Sequence, residues 1–143
     1  MAPRGPQRYR VAATTADSGL FAWGAGREEL FANAAAGLSS LMVDPRRLRA
    51  GEEREVSAEG LDLPALLVAW LNEWVFLFDT EGFLGRDFEV RELSDTRVRG
   101  VGRGERYDPA RHRFRDQVKA VTYHRLEVRE EGGRLRARVV VDL

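Results

Sequence analysis

Apolar positions return at helical spacing in two stretches of the chain. Leu30, Phe31, Ala34, Leu38, Leu41 and Met42 line one side of a helix predicted over 27–43. Asp44-Pro45 stops it, because proline disfavours α geometry in the residue before it. In the second stretch Leu66, Leu67, Trp70, Leu71, Trp74, Val75, Leu77 and Phe78 form a broader stripe. Asp62 is placed to cap this helix, Pro64 sits where a missing N–H costs nothing, and the run fades near Asp79. So wide an apolar face predicts a helix largely buried against a sheet, with its tryptophans in the core.

Elsewhere the period is two. "RYRVAATT" and "LFAWG" read as short strands around the turn-forming cluster "ADSG", which places Asp17 at a bend. A further strand is expected near 55–58. The second half alternates through "DFEVREL", "RVRGVGRG", "KAVTYHRLEVRE" and "LRARVVVDL", with Ser94-Asp95 and Gly132-Gly133 as turns, and so predicts three or four antiparallel strands. The fold class is α+β: a single domain, two main helices packed on a mostly antiparallel or mixed β-sheet. The domain spans 9–143, after a flexible tail at 1–8 that carries Pro3 and Pro6. No internal repeat interrupts this order.

Composition narrows the function classes. A length of 143 residues suits one domain with one core. The 23 cationic and 23 acidic side chains cancel, which argues against nucleic-acid binding by the whole surface. With no cysteine there is no disulfide, thiol nucleophile or cysteine-based zinc site. No apolar run follows the first charges, and no segment offers the ~20 uninterrupted apolar residues of a membrane span, so a soluble cytoplasmic protein is expected. Of the cations only Lys119 is a lysine.

Three residues stand out chemically. Asp17, in its predicted turn, offers oxygen ligands to a hard cation, although an acid there can equally cap its own turn. Asp142 ends the apolar run "VVVDL", with Val139 and Val141 on one face and Val140 and Asp142 on the other. A charge ending a buried strand is expected to have a partner, and the terminal carboxylate of Leu143 makes a cation there more welcome. Lys119 opens "KAVTYH" with Val121 and Tyr123 on its side of the strand. It can pair with a carboxylate, contact a phosphate or end the strand in solvent.

Other features carry less. "GVGRG" at 100–104 lacks the lysine and following helix of a phosphate loop, and its glycines mark bulges or close approach. His112 and His124 lack metal-pair spacing, and no serine, histidine and aspartate trio can be singled out. The residues alone give a metal-compatible pair of acids and one singular lysine, too little to name a reaction.

"TTADSGLFAWG", "ELFANAAAGLSSLMVD", "LLVAWLNEWVFLFDTEGFL", "YDPARHRF", "VKAVTYHRLEV" and the final "VVVDL" together resemble the archease family, in order and spacing, from about Tyr9 to Leu143. The resemblance implies an accessory protein of tRNA splicing, not itself an enzyme. Such a protein promotes GTP-dependent guanylylation of an RtcB-type RNA ligase and makes it turn over repeatedly. RNA and GTP are then met through the ligase, and no membrane is involved. The resemblance further implies a divalent metal, Ca²⁺ or Mg²⁺ with Mn²⁺ a third candidate, at Asp17, Asp142 and the carbonyl of Leu143. It gives Lys119 a role in ligase activation, which would explain why one compact ammonium persists among arginines. Thr14 stands where the family has histidine, in "TTAD". Two alternatives use the same residues: a stand-alone metal-dependent phosphotransfer or hydrolytic enzyme, and a chaperone-like binding module with a structural metal.

Overall fold

A computed structural model describes residues 7–13 and 17–143, and of Ala13 and Asp17 the backbone alone. The order is β1 (Tyr9–Ala13), β2 (Asp17–Gly24), α1 (Arg27–Met42), a 3₁₀ turn (Pro45–Arg47), β3 (Glu52–Glu59), α2 (Leu63–Glu81), β4 (Phe83–Leu93), β5 (Arg97–Arg106), β6 (Ala120–Glu131) and β7 (Arg134–Asp142). Most of the predicted tail, 1–6, lies outside the described residues. Arg8 is held: its carbonyl accepts from the Trp23 amide at 2.9 Å.

The strands form two sheets where a single one was expected. One has the order β1-β2-β7-β6 and the other β3-β5-β4, and every pairing is antiparallel. The two helices lie between them. Helix α1 packs on β1, β2 and β7 of the first sheet and on β4 of the second, while α2 covers the three strands of the second sheet and also reaches β6.

The second sheet escaped the sequence pattern because α1 is buried almost all round. Opposite its predicted stripe, Asn33, Ala35, Ala36, Gly37, Ser39 and Ser40 are also buried. These side chains are small enough to admit a second layer. At Gly37 a Cβ would come within 2.7 Å of Leu20 Cδ1 and 3.1 Å of the Tyr9 ring, so β1 and β2 reach the helix only because the methyl is missing.

Helix α2 begins as predicted, with the Asp62 carboxylate accepting from the Ala65 amide at 2.9 Å. It ends at Gly82, in the left-handed region at φ 70°, whose amide bonds the Phe78 carbonyl at 2.8 Å. At 19 residues it is long and apolar enough to cross a membrane, although Asn72, Glu73 and Asp79 interrupt its apolar run. Its contacts are those of a core helix. Trp70 is fully buried with Nε1 donating to the Phe31 carbonyl at 3.0 Å, and Trp74 meets it edge-on at 5.3 Å.

Those indoles explain two glycines of "GVGRG", and the Leu84 backbone explains the third, Gly104. A Cβ on Gly100 would stand 2.8 Å from the Trp70 ring and one on Gly102 2.9 Å from the Trp74 ring. Close approach is therefore the reason for these glycines, and the bulges of this sheet lie in the facing strand β4, at Gly85/Asp87 and Val90/Glu92. The predicted turn at 17–19 is also revised. Strand β2 already begins at Asp17, since Ser18 and Gly19 are paired on both sides, with β1 and with β7.

Candidate functional site

The C-terminal end of β7 gathers the residues singled out above. β7 is an inner strand, and Asp142 is the direct partner of Asp17 in β2 on one side and of Ala120 in β6 on the other. The Lys119 amide donates to the Asp142 carbonyl at 2.9 Å. Three parts of the chain far apart in sequence thus meet at one strand end.

Burial follows the period-two pattern. Val139 and Val141 are buried against the helices, and Asp142 points away from them and is exposed. The expectation that its charge needs a protein partner does not follow, because water solvates an exposed carboxylate without one. Lys119 is exposed as well, one residue before β6 begins, with its main chain fixed and its ammonium at the surface. Leu143 is half-buried, packed at the edge of the core. Among the described residues no group of three or more acidic, histidine or cysteine side chains gathers around a common point.

Two features hold "KAVTYH" in place, and the sequence signalled neither clearly. The first is Asn72 of α2. Its Oδ1 accepts from the Val121 amide at 2.9 Å and its Nδ2 donates to the Val121 carbonyl at 3.0 Å. A side-chain amide so supplies both partners that a neighbouring strand would have supplied, at the outer edge of β6. The only trace in the sequence is a polar residue inside an apolar run, "WLNEW".

The second is a wide bulge. Thr122 is opposite Val140 and Glu127 is opposite Arg138, so residues 123–126 face a single residue of β7. Arg125 within it adopts φ 53°, rare outside glycine, and its carbonyl accepts from Arg138 Nε at 2.9 Å. The bulge breaks the alternation, so Tyr123, expected on the side of buried Val121, is 65% exposed. His124 is exposed beside it.

The other histidine is structural. His112 is buried, with Nδ1 accepting from the Asp108 amide at 2.8 Å, which puts the ring proton on Nε2, 3.2 Å from Glu105 Oε2. Burial raises the Glu105 pKa, but the Arg49 amide, Arg111 and His112 together outweigh it and hold the carboxyl below its usual range. Around this knot Phe114 stacks on Phe78 at 5.7 Å and meets Tyr107 edge-on at 5.4 Å. "YDPARHRF" is therefore a rigid irregular segment leading into Lys119.

Two sheets enclosing two helices, with acids and one lysine meeting at an inner strand end, define a small α+β domain of the archease type. The chain belongs to this family, for the model of the Archease protein family matches residues 9–143. Protein archease of Methanopyrus kandleri is 47% identical over 132 residues, covering 90% of the chain and 94% of that protein. Protein archease of Pyrococcus furiosus is 37% identical over 133 residues, with the same coverage. Neither name is that of an enzyme. Among solved structures, Methanobacterium thermoautotrophicum protein 1598 superposes with a TM-score of 0.80 at 38% identity, over 94% of this chain and 98% of that one. An archease from Thermotoga maritima, described as a possible chaperone, shares the fold with a TM-score of 0.66 at 21% identity, over 100% of this chain and 99% of that one.

Proposed function

We propose that this protein activates an RtcB-type RNA ligase, promoting GTP-dependent guanylylation of the ligase and so its multiple turnover. Asp17, Asp142 and the Leu143 carbonyl would hold a divalent cation, and Lys119 would act beside them. One observation carries the reading: Asp17 and Asp142 are direct partners across β2 and β7, and Lys119 is tied by its amide to Asp142. Like charges placed opposite each other in an antiparallel pair repel, and a cation between them relieves this. Carboxylate and carbonyl oxygens are the donors that Ca²⁺ and Mg²⁺ take. When bound, such an ion would supply positive charge for phosphate oxygens. Lys119 keeps an ammonium at the same end, able to turn its three donors toward a phosphate as a guanidinium fork cannot.

The test is multiple-turnover ligation by the ligase of the same organism. Lys119→Arg is expected to lose most activation, Lys119→Ala at least as much, each with an unchanged melting curve. Asp17→Ala and Asp142→Ala should abolish calorimetric Ca²⁺ or Mg²⁺ binding. Full activation by the lysine variants, or undiminished metal binding by both aspartate variants, would overturn the reading. The alternative of a chaperone-like module is suggested by the wording attached to the Thermotoga maritima protein. It would be favoured if the double aspartate variant still activated the ligase.

A further inference from the structure

A zero net charge conceals a strongly basic face. Three hollows share their walls between the segment after α1 and the irregular segment before Lys119. The first has a volume of about 510 Å³. Their walls carry Arg46, Arg47, Arg49, Arg111, Arg113 and Arg115, against one acid, Asp44.

Half of these arginines have structural work. Arg46 bonds Asp44 Oδ2 at 2.9 Å, Arg111 bonds Glu105 at 2.5 Å, and Arg115 Nη1 donates to the Ser40 carbonyl at 3.0 Å, at the C-terminal end of α1. Arg47, Arg49 and Arg113 are exposed, and among the described residues none has a carboxylate within 4 Å. They are nonetheless placed on firm backbone. Arg47 and Arg49 flank Leu48, which is 2% exposed in the core, and the Arg49 amide bonds Glu105 at 2.6 Å. Arg113 stands between buried His112 and stacked Phe114, and the next amide, of Arg115, bonds the Met42 carbonyl at 2.7 Å. Both segments turn anchors inward and arginines outward.

We propose that this face binds the phosphate backbone of RNA without regard to sequence. Guanidinium forks match phosphate oxygens in pairs. Linked hollows suit an extended polyanion better than one small anion. A protein partner would want an apolar centre, and among the described residues the large exposed apolar side chains, Val11, Leu61, Phe76 and Tyr123, all lie outside these walls. The choice of RNA among nucleic acids rests on the ligase reading; the charge and shape arguments do not. Lys119 follows Arg113 by six residues, at most about 21 Å of extended chain, so a strand on this face comes within reach of the Asp142 end.

The experiment titrates the isolated protein into a fluorescein-labelled single-stranded RNA of about 20 nucleotides, from about 50 to about 200 mM salt, read by anisotropy. The triple variant Arg47→Ala, Arg49→Ala, Arg113→Ala is expected to bind about tenfold or more weakly at the lowest salt. Its slope of log affinity against log salt should fall by about 2, three lost contacts at roughly 0.7 each. A control triple on β4, β5 and β6, Arg91→Ala, Arg97→Ala, Arg129→Ala, should bind like wild type. If the first triple fails to fold, Arg47→Gln and Arg113→Gln singly should each lower the slope by about 0.7. Equal loss in both triples, unchanged binding in the first, or competition by poly-glutamate as strong as by unlabelled RNA would overturn the proposal, the last pointing to an acidic protein. No ligase is present, so failure here leaves the activation reading untouched, and failure there leaves this titration standing.

Discussion

At the scale of single residues, the side chains that set local geometry are mostly acids holding arginines or amides. Asp44 follows α1 and accepts from both the amide and the guanidinium of Arg46. The side-chain bond from Arg46, ahead of its amide bond, lowers the Asp44 pKa from 3.8 to about 2. A depressed carboxyl contributes stability that is complete above its unfolded value and disappears as pH falls through its folded one. Wild type should therefore lose more melting temperature between pH 4 and pH 2 than Asp44→Asn, and parallel curves for the two would refute the assignment. Asp44 and Asp62 could be found in the sequence as acids beside helix ends, whereas Glu105 and Glu127, which hold arginines from strands, could not. Asp17 and Asp142 could be noticed singly too, but their opposition could not, because it depends on a pairing between the two ends of the chain.

At the scale of elements, the helices were the legible part. Periodicity, a capping Asp62, the Asp44-Pro45 stop and the fading of the apolar run near Asp79 gave both helices to within about two residues. Strand β6 was less legible, because alternation carries no warning of the bulge at 123–126 or of the side chain that closes its edge. Asn72 is the residue to test there. In Asn72→Ala the Val121 amide and carbonyl lose both partners at a part-buried site, and unfolding by urea should show a loss of about 1–3 kcal/mol. Ligase activation should fall further than stability alone explains, since Val121 lies two residues from Lys119. A variant with wild-type stability and activation would show that the edge needs no such support.

At the scale of the whole molecule, the number of sheets was hidden while the class was plain. A stripe on α1 announced one buried face, and only the small residues on its other side made room for a second layer. The two sheets also differ in how they draw on the chain. The β3-β5-β4 sheet and α2 come from one continuous stretch, 52–106, whereas β2 must wait for β7 from the far end of the chain. Closing so long a loop costs entropy before any contact repays it, and such pairings form slowly. The continuous half is then expected to acquire protection first in pulse-labelled hydrogen exchange, with β2 and β7 last; simultaneous protection of both sheets would contradict it. A folding intermediate would thus hold α2 on its own sheet, with Trp70 and Trp74 already buried between them, while Asp17 and Asp142 were still apart. The order of assembly would then reserve the acidic strand end, and whatever it binds, for molecules that have finished folding.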